Sequence, residues 1–193
     1  MNKIGLYFGS FNPIHIGHLI IANHLVEHTS LDEVWLVISP QSPFKKKASL
    51  LDNHHRFELV YRAVENYDKI KPCDVEFNLP TPNYTSKTLT VLEEKYPEKV
   101  FGLIMGEDNL KTFHKWKNYE FILDSHDIYI CPRLGKGNVP EMFQNHPRIH
   151  FTDTPILAIS ATLIRNSIKN GKNVQPLLSP EVWKYIDEMN FYR

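Results

Sequence analysis

The stretch Gly5-Leu6-Tyr7-Phe8-Gly9-Ser10-Phe11-Asn12-Pro13-Ile14-His15-Ile16-Gly17-His18 decides how this chain is read. Ile4, Leu6 and Phe8 form a short apolar run and Gly9 to Pro13 is dense in turn formers. Leu19, Ala22, Leu25 and Val26 then recur at helical spacing, so the order is strand, turn, helix. His15 and His18 fall where the helix begins. A helix N-terminus presents unpaired N–H groups and the positive end of the peptide dipoles, which suits phosphate, and two imidazoles add donors there. Gly17 between them leaves room for a ligand.

Downstream, Val34-Trp35-Leu36-Val37-Ile38 is a continuous apolar run of the kind buried on both faces of a parallel sheet. Ser39 to Lys47, with two prolines and three consecutive lysines, is a loop at that strand's carboxyl end, where open parallel sheets bind ligands. Spacing predicts helices over Leu51 to Asn66, with Asp52 or Asn53 as cap, and around Leu89, Leu92 and Tyr96. Cys73 to Phe77 alternates as a short strand, and the prolines make Leu79 to Asn83 irregular. Val100 to Met105 is a second buried strand ending at Gly106, with Glu107 and Asp108 just beyond. A short helix at Phe121 to Leu123, a strand at Ile128 to Cys131, a loop from Pro132 to Pro140 and a weaker strand at Ile149 to Phe151 follow. Ser160 caps a helix reaching about Asn170 with Gly171 as its stop, and Ser179-Pro180-Glu181 opens the last helix. Strand and helix alternate without repeat or linker, which calls for right-handed crossovers and an α/β doubly wound parallel sheet.

At 193 residues the chain reads as one domain, 1–193, with a core of ordinary size. Lys plus Arg and Asp plus Glu are 22 each, so no global field argues for nucleic acid or an anionic membrane, and local clusters must hold any anion. Cys73 and Cys131 lack CxxC spacing, no apolar run approaches a membrane span, and Met1-Asn2-Lys3 leads straight into a strand. The expected setting is a reducing cytoplasm.

Gly9-Ser10-Phe11-Asn12-Pro13 with His15-Ile16-Gly17-His18 resembles the first signature of the HxGH nucleotidyltransferases, and Ile159-Ser160-Ala161-Thr162-Leu163-Ile164-Arg165 resembles the second. Between them, Asn83-Tyr84-Thr85-Ser86-Lys87-Thr88-Leu89, Gly106-Glu107-Asp108-Asn109-Leu110 and Phe113-His114-Lys115-Trp116 are similar to the bacterial nicotinate-nucleotide adenylyltransferases. Resemblance covers nearly the whole chain. It implies a Rossmann-like sheet with the HxGH strand at its centre. It also implies transfer of AMP from ATP to nicotinate mononucleotide, giving deamido-NAD and pyrophosphate, by in-line attack without a covalent intermediate. The attacking phosphate is already an anion, so positioning and charge neutralisation must supply most of the rate. Mg²⁺ is expected with ATP, held mainly by phosphate oxygens and water.

The resemblance places ATP against Gly9, Ser10, Phe11, His15, Gly17, His18, Gly106, Arg133, Ser160, Thr162 and Arg165, with His15, His18, Arg165 and Lys45 carrying the transfer. It places the nicotinate nucleotide against Lys45, Tyr84, Thr85, Asp108 and Trp116: the indole as a stacking platform, Tyr84-Thr85 reading the carboxylate, Asp108 a ribose hydroxyl. Asn12, Phe44, Lys87 and Ala161 depart from the family pattern. Competing readings are a pantetheine-phosphate adenylyltransferase, a non-catalytic nucleotide-binding regulator and a metal-dependent hydrolase. A zinc site needs a third protein ligand, and no HExxH or CxxC pattern supplies one. Oligomeric state is left open.

Overall fold

The computed structural model describes residues 1–40, 50–134 and 139–193. Six strands form one sheet: β1 (Asn2–Gly9), β2 (Glu33–Ile38), β3 (Ile70–Cys73), β4 (Lys99–Gly106), β5 (Ile128–Cys131) and β6 (Ile149–Phe151). Their order is β3-β2-β1-β4-β5-β6, and every neighbouring pair is parallel. The connections on the two sides of β1 therefore run in opposite directions, and a crevice opens where β1 and β4 end side by side. The helices are α1 (Ile16–His28), α2 (Asn53–Val64), α3 (Thr85–Lys95), α4 (Glu107–Leu110), α5 (Tyr119–Ser125), α6 (Glu141–Gln144), α7 (Ala161–Lys169) and α8 (Pro180–Glu188).

Side chains alternate across the pleat, so each central strand feeds two cores. Tyr7 and Ile104 point to the face covered by α1, α2, α7 and α8, where Leu25, Leu59, Ile164 and Ile186 are buried. Ile4, Leu6, Phe101, Leu103 and Met105 point to the other, against Leu89 and Leu92 of α3 and Ile122 of α5. Burial on both faces is why β2 and β4 read as unbroken apolar runs.

The expected strand over Cys73 to Phe77 is corrected. The strand ends at Cys73, and Val75–Asn78 is a 3₁₀ turn. Pro72 is tolerated because β3 lies at the sheet edge, where one side of the backbone needs no ladder partner. Glu76, which alternation would send to the opposite face from Val75 and Phe77, is buried and accepts a hydrogen bond from the Thr88 hydroxyl at 2.8 Å. The predicted caps of α7 hold: Ser160 Oγ accepts the Leu163 N–H at 3.1 Å, and Gly171 takes the left-handed φ of +65° that stops the helix.

Candidate active site

A cavity of about 660 Å³ opens at the carboxyl ends of β1 and β4. It lies within the roughly 300–1,000 Å³ usual for small-molecule sites. Separated parts of the chain line it, among them the β1–α1 turn with the first turn of α1, the end of β4 with α4, the segment after β5, and the start of α7 with the residues before it. Gly9, Ser10, Phe11, His15, Gly17, His18, Gly106, Asp108, Arg133, Ser160, Thr162 and Arg165 all meet there.

The β1–α1 turn has its own geometry. Phe11 holds a left-handed φ of +44° and folds its ring over Gly9, where a Cβ would lie 2.8 Å from Cζ. His15 is the N-cap residue, with extended backbone, and its N–H donates to His18 Nδ1 at 3.2 Å. That bond fixes the His18 tautomer: Nδ1 accepts, so Nε2 carries the proton and is the nitrogen left to donate. The two imidazoles stack with centroids 3.7 Å apart, and Phe11 meets His18 edge-on at 5.1 Å. His15 Nδ1 is buried without a hydrogen-bond partner. Gly17 lies directly against this ring, since a Cβ there would sit 3.0 Å from His15 Nδ1. The glycine is needed for the close approach of the imidazole, which is a different reason from the room for ligand expected of it.

Burial and the nearby Arg133 guanidinium pull the His15 pKa down to about 4. Burial, then His15 and Arg133, hold His18 well below its ordinary value. Both rings are therefore neutral hydrogen-bond donors at neutral pH, and the standing positive charge of the described cavity comes from Arg133 and Arg165. Arg133 Nε lies 3.5 Å from Asp108 Oδ1. Both side chains are about half exposed, so this pair is held weakly and a ligand can separate it. Arg165 donates to the backbone carbonyl of Asn12 at 2.8 Å and to Thr162 Oγ1 at 3.3 Å, which ties the second motif directly to the first.

Of the residues expected to bind the nicotinate nucleotide, Asp108 lines this cavity, whereas Tyr84, Thr85 and Trp116 do not. Tyr84, the N-cap residue of α3, lines a separate cavity of about 550 Å³ beside Lys87 and Lys117, and Lys117 Nζ lies 4.5 Å over its ring. Thr85 and Trp116 line neither cavity. The indole is half-buried edge-on against Phe113, with centroids 5.5 Å apart. Lys45 lies outside the described residues.

One residue that supports the site without lining it escaped the sequence reading. Arg56 of α2 is fully buried, and all five of its N–H groups are used: Nε to Leu51 O, Nη1 to Ser10 O and Ser39 O, Nη2 to Pro40 O and Asn53 Oδ1. It thereby pins the β1–α1 turn to the segment that leaves β2. Burial lowers its pKa only to about 10, so it stays a cation. The signal was present: Arg56, Leu59, Val60 and Ala63 fall at the spacing of one apolar helix face.

Comparison with known proteins agrees with this geometry. The cytidylyltransferase-like family matches residues 6–167. A protein of Christiangramia forsetii named a probable nicotinate-nucleotide adenylyltransferase is 60% identical over 191 residues, covering 99% of this chain and 98% of the relative. A protein of Bacteroides fragilis with the same name is 43% identical, over 95% of this chain and 90% of its own. Among solved structures, the Plasmodium falciparum nicotinic acid mononucleotide adenylyltransferase complexed with NaAD superposes with a TM-score of 0.81. It is 21% identical and the match covers 100% of this chain and 98% of that one, which supports the shared fold. On this fold, these motifs and these relatives, the chain belongs to the cytidylyltransferase-like family, among the nicotinate-nucleotide adenylyltransferases.

Proposed function

We propose that the chain transfers AMP from ATP to nicotinate mononucleotide, forming deamido-NAD and pyrophosphate. The observation that carries this reading is the convergence of His15, His18 and Arg165 on one cavity from opposite ends of the chain. A phosphate oxygen of the mononucleotide attacks the α-phosphorus of ATP; the new P–O bond forms as the bond to the bridging oxygen of pyrophosphate breaks, and that oxygen leaves with the electron pair. No base is required, because the nucleophile is already ionised. The protein's part is to hold both anions in line and to spread the charge on the leaving group.

His15 and His18 would donate to the triphosphate, together with the backbone N–H groups at the start of α1. Arg165 would take phosphate oxygens with its planar fork, next to the α7 N-terminus capped by Ser160. Arg133 and Asp108, released from each other, would serve the nucleotide and a ribose hydroxyl. Lys45 would bridge the two substrates' phosphates, Tyr84 and Thr85 would read the nicotinate carboxylate, and Trp116 would stack on the pyridine ring.

The donor set fits a Mg²⁺ carried in on the triphosphate. Among the described residues no group of three or more His, Cys, Asp or Glu is placed to hold a metal, and Asp108 is the carboxylate on the cavity wall. Phosphate oxygens and water would hold the ion, which would neutralise charge on the transferring group. A single domain in a reducing cytosol is the setting we infer. The six strands, from Asn2–Gly9 to Ile149–Phe151, form one sheet, Cys73 and Cys131 are buried free thiols, and no helix among the described residues is long and apolar enough to cross a membrane.

Initial-rate pyrophosphate release with ATP and Mg²⁺ tests the reaction, with nicotinate mononucleotide, nicotinamide mononucleotide and phosphopantetheine compared in parallel. Preference for the nicotinate nucleotide is expected. Preference for phosphopantetheine would overturn the acceptor, and silence with all three would overturn the transferase.

A further inference from the structure

Asn12 sits in the β1–α1 turn, 3% exposed, and is gripped from several directions. Its backbone carbonyl accepts from Arg165 Nη1 at 2.8 Å. Its side-chain Oδ1 accepts from the Tyr192 hydroxyl at 2.8 Å and from the Leu51 N–H at 3.3 Å. Tyr192 is 180 positions away in the chain. It reaches the turn because the segment after α8 folds back. Asn190 and Tyr192 both hold left-handed φ, +54° and +65°, and the Phe191 ring packs against His55 and Tyr185 at 4.9 and 5.7 Å. Tyr192 does not line the cavity, and its hydroxyl has a pKa raised by burial, so it remains a donor throughout the working pH range.

These contacts form a chain of three groups: Tyr192 Oη to Asn12 Oδ1, then Asn12 O to Arg165 Nη1. The second hydrogen bond of the Arg165 guanidinium, to Thr162 within α7, is the longer one, so Asn12 is its firm anchor outside its own helix. The peptide after Asn12 leads to Pro13 and the histidine pair, so the Asn12 carbonyl is where the Arg165 guanidinium is referenced to that pair. We propose that Tyr192 is a positioning residue for AMP transfer: through Asn12 it sets where the Arg165 guanidinium stands relative to His15 and His18. Carried by a segment that follows the last helix, it makes the end of the fold part of the phosphate site's support.

The inference rests on the transferase reading, and the experiment separates the two. Tyr192→Phe removes one hydroxyl and keeps the ring. Tyr185→Phe is the control: it removes the hydroxyl that meets His55 Nδ1 at 3.0 Å in the same aromatic layer and does not reach the turn. The expected result is a fall of about five- to tenfold in kcat/KM for ATP with Tyr192→Phe, the size of one hydrogen bond of about 1 kcal/mol. KM for nicotinate mononucleotide should stay unchanged, and Tyr185→Phe should retain wild-type kinetics. In an Arg165→Lys background, Tyr192→Phe should change the rate by less than about twofold, because the group it positions has gone. Equal losses in both backgrounds, or no loss in either, would overturn the proposal. Calorimetric affinity for ATP, measured on the same four proteins of the cycle, reads the coupling without turnover. If the wild type binds ATP but transfers AMP to no acceptor, the transferase reading fails and the affinity cycle still decides the Tyr192 coupling.

Discussion

Protonating the buried histidine pair should destabilise the fold, and His15 allows the size of the effect to be worked out. His15 is 6% exposed and its pKa lies at about 4, against 6.5 for a free imidazole. Above pH 6.5 the ring is neutral in the folded and unfolded chain alike, and the burial is fully tolerated. As pH falls through 6.5 the unfolded chain takes up a proton and the folded one does not, so stability declines until about pH 4, where both are protonated. At about 1.36 kcal/mol per pH unit that interval is worth about 3 kcal/mol. For a chain of this size it corresponds to a loss of roughly 6–12 °C in melting temperature. The perturbation is His15→Asn, which keeps a polar side chain near the cap and removes the titration. Melting curves of both proteins from pH 7.5 to 4 are the assay, read as the difference between them so that other groups cancel. The wild type should lose ground to the variant by this amount as pH falls. His15 charge also depresses His18, so the difference reports the pair rather than one ring. A gap constant to within about 2 °C across the range would refute the claim that the imidazoles are buried neutral.

Arg56→Lys keeps the charge and loses the planar fork. Stranding several of the carbonyls of Leu51, Ser10, Ser39 and Pro40 should lower stability by about 3 kcal/mol or more, measured by denaturant titration. Gly17→Ala sets a methyl 3.0 Å from His15 Nδ1; the ring must give way, and turnover should fall by about tenfold or more with the circular-dichroism spectrum unchanged. Ser160→Ala removes the cap bond to Leu163 N and should cost about 1 kcal/mol in thermal stability, together with weaker ATP binding in a calorimetric titration.

What was legible in the residues was what depends on local pattern. β2 and β4 are continuous apolar runs because both sheet faces are covered, and the ends of α7 are written in Ser160 and Gly171. The 3₁₀ turn at Val75–Asn78 was misread because Val75 and Phe77 alternate as a strand would, while the buried acceptor role of Glu76 depends on Thr88 from another element. Arg56 was not singled out in the sequence, since a buried guanidinium is stable only when acceptors from separate segments surround it, and those segments meet only in the fold. The Tyr192–Asn12 bond joins positions that no local periodicity relates. Among the residues expected at the site, those of the two outer motifs line one cavity, and they were legible because each motif is a contiguous signature. The resemblance that supplied Tyr84, Thr85 and Trp116 speaks of ligand contact, whereas the fold places these side chains outside the cavity where the two outer motifs meet.

That division follows from how the sheet carries the site. With β1 at the centre and order β3-β2-β1-β4-β5-β6, the first phosphate motif is fixed by the strand that precedes it and needs no distant partner to be near the crevice. The second motif enters after β6, at the far edge, and reaches the same crevice only because α7 crosses back over the sheet. Ile164 and Ile168, four apart on its inner face, are buried in the core that also holds Tyr7, Ile14 and Ile104. Docking that face leaves Thr162 and Arg165 on the side of the helix that meets the β1–α1 turn, where Arg165 closes on Asn12. The apolar spacing of α7 thus determines where its guanidinium stands, and the hydrogen bond to the Asn12 carbonyl fixes it against the β1–α1 turn. Packing brings the two ends of the chain together, and a few buried polar contacts aim them.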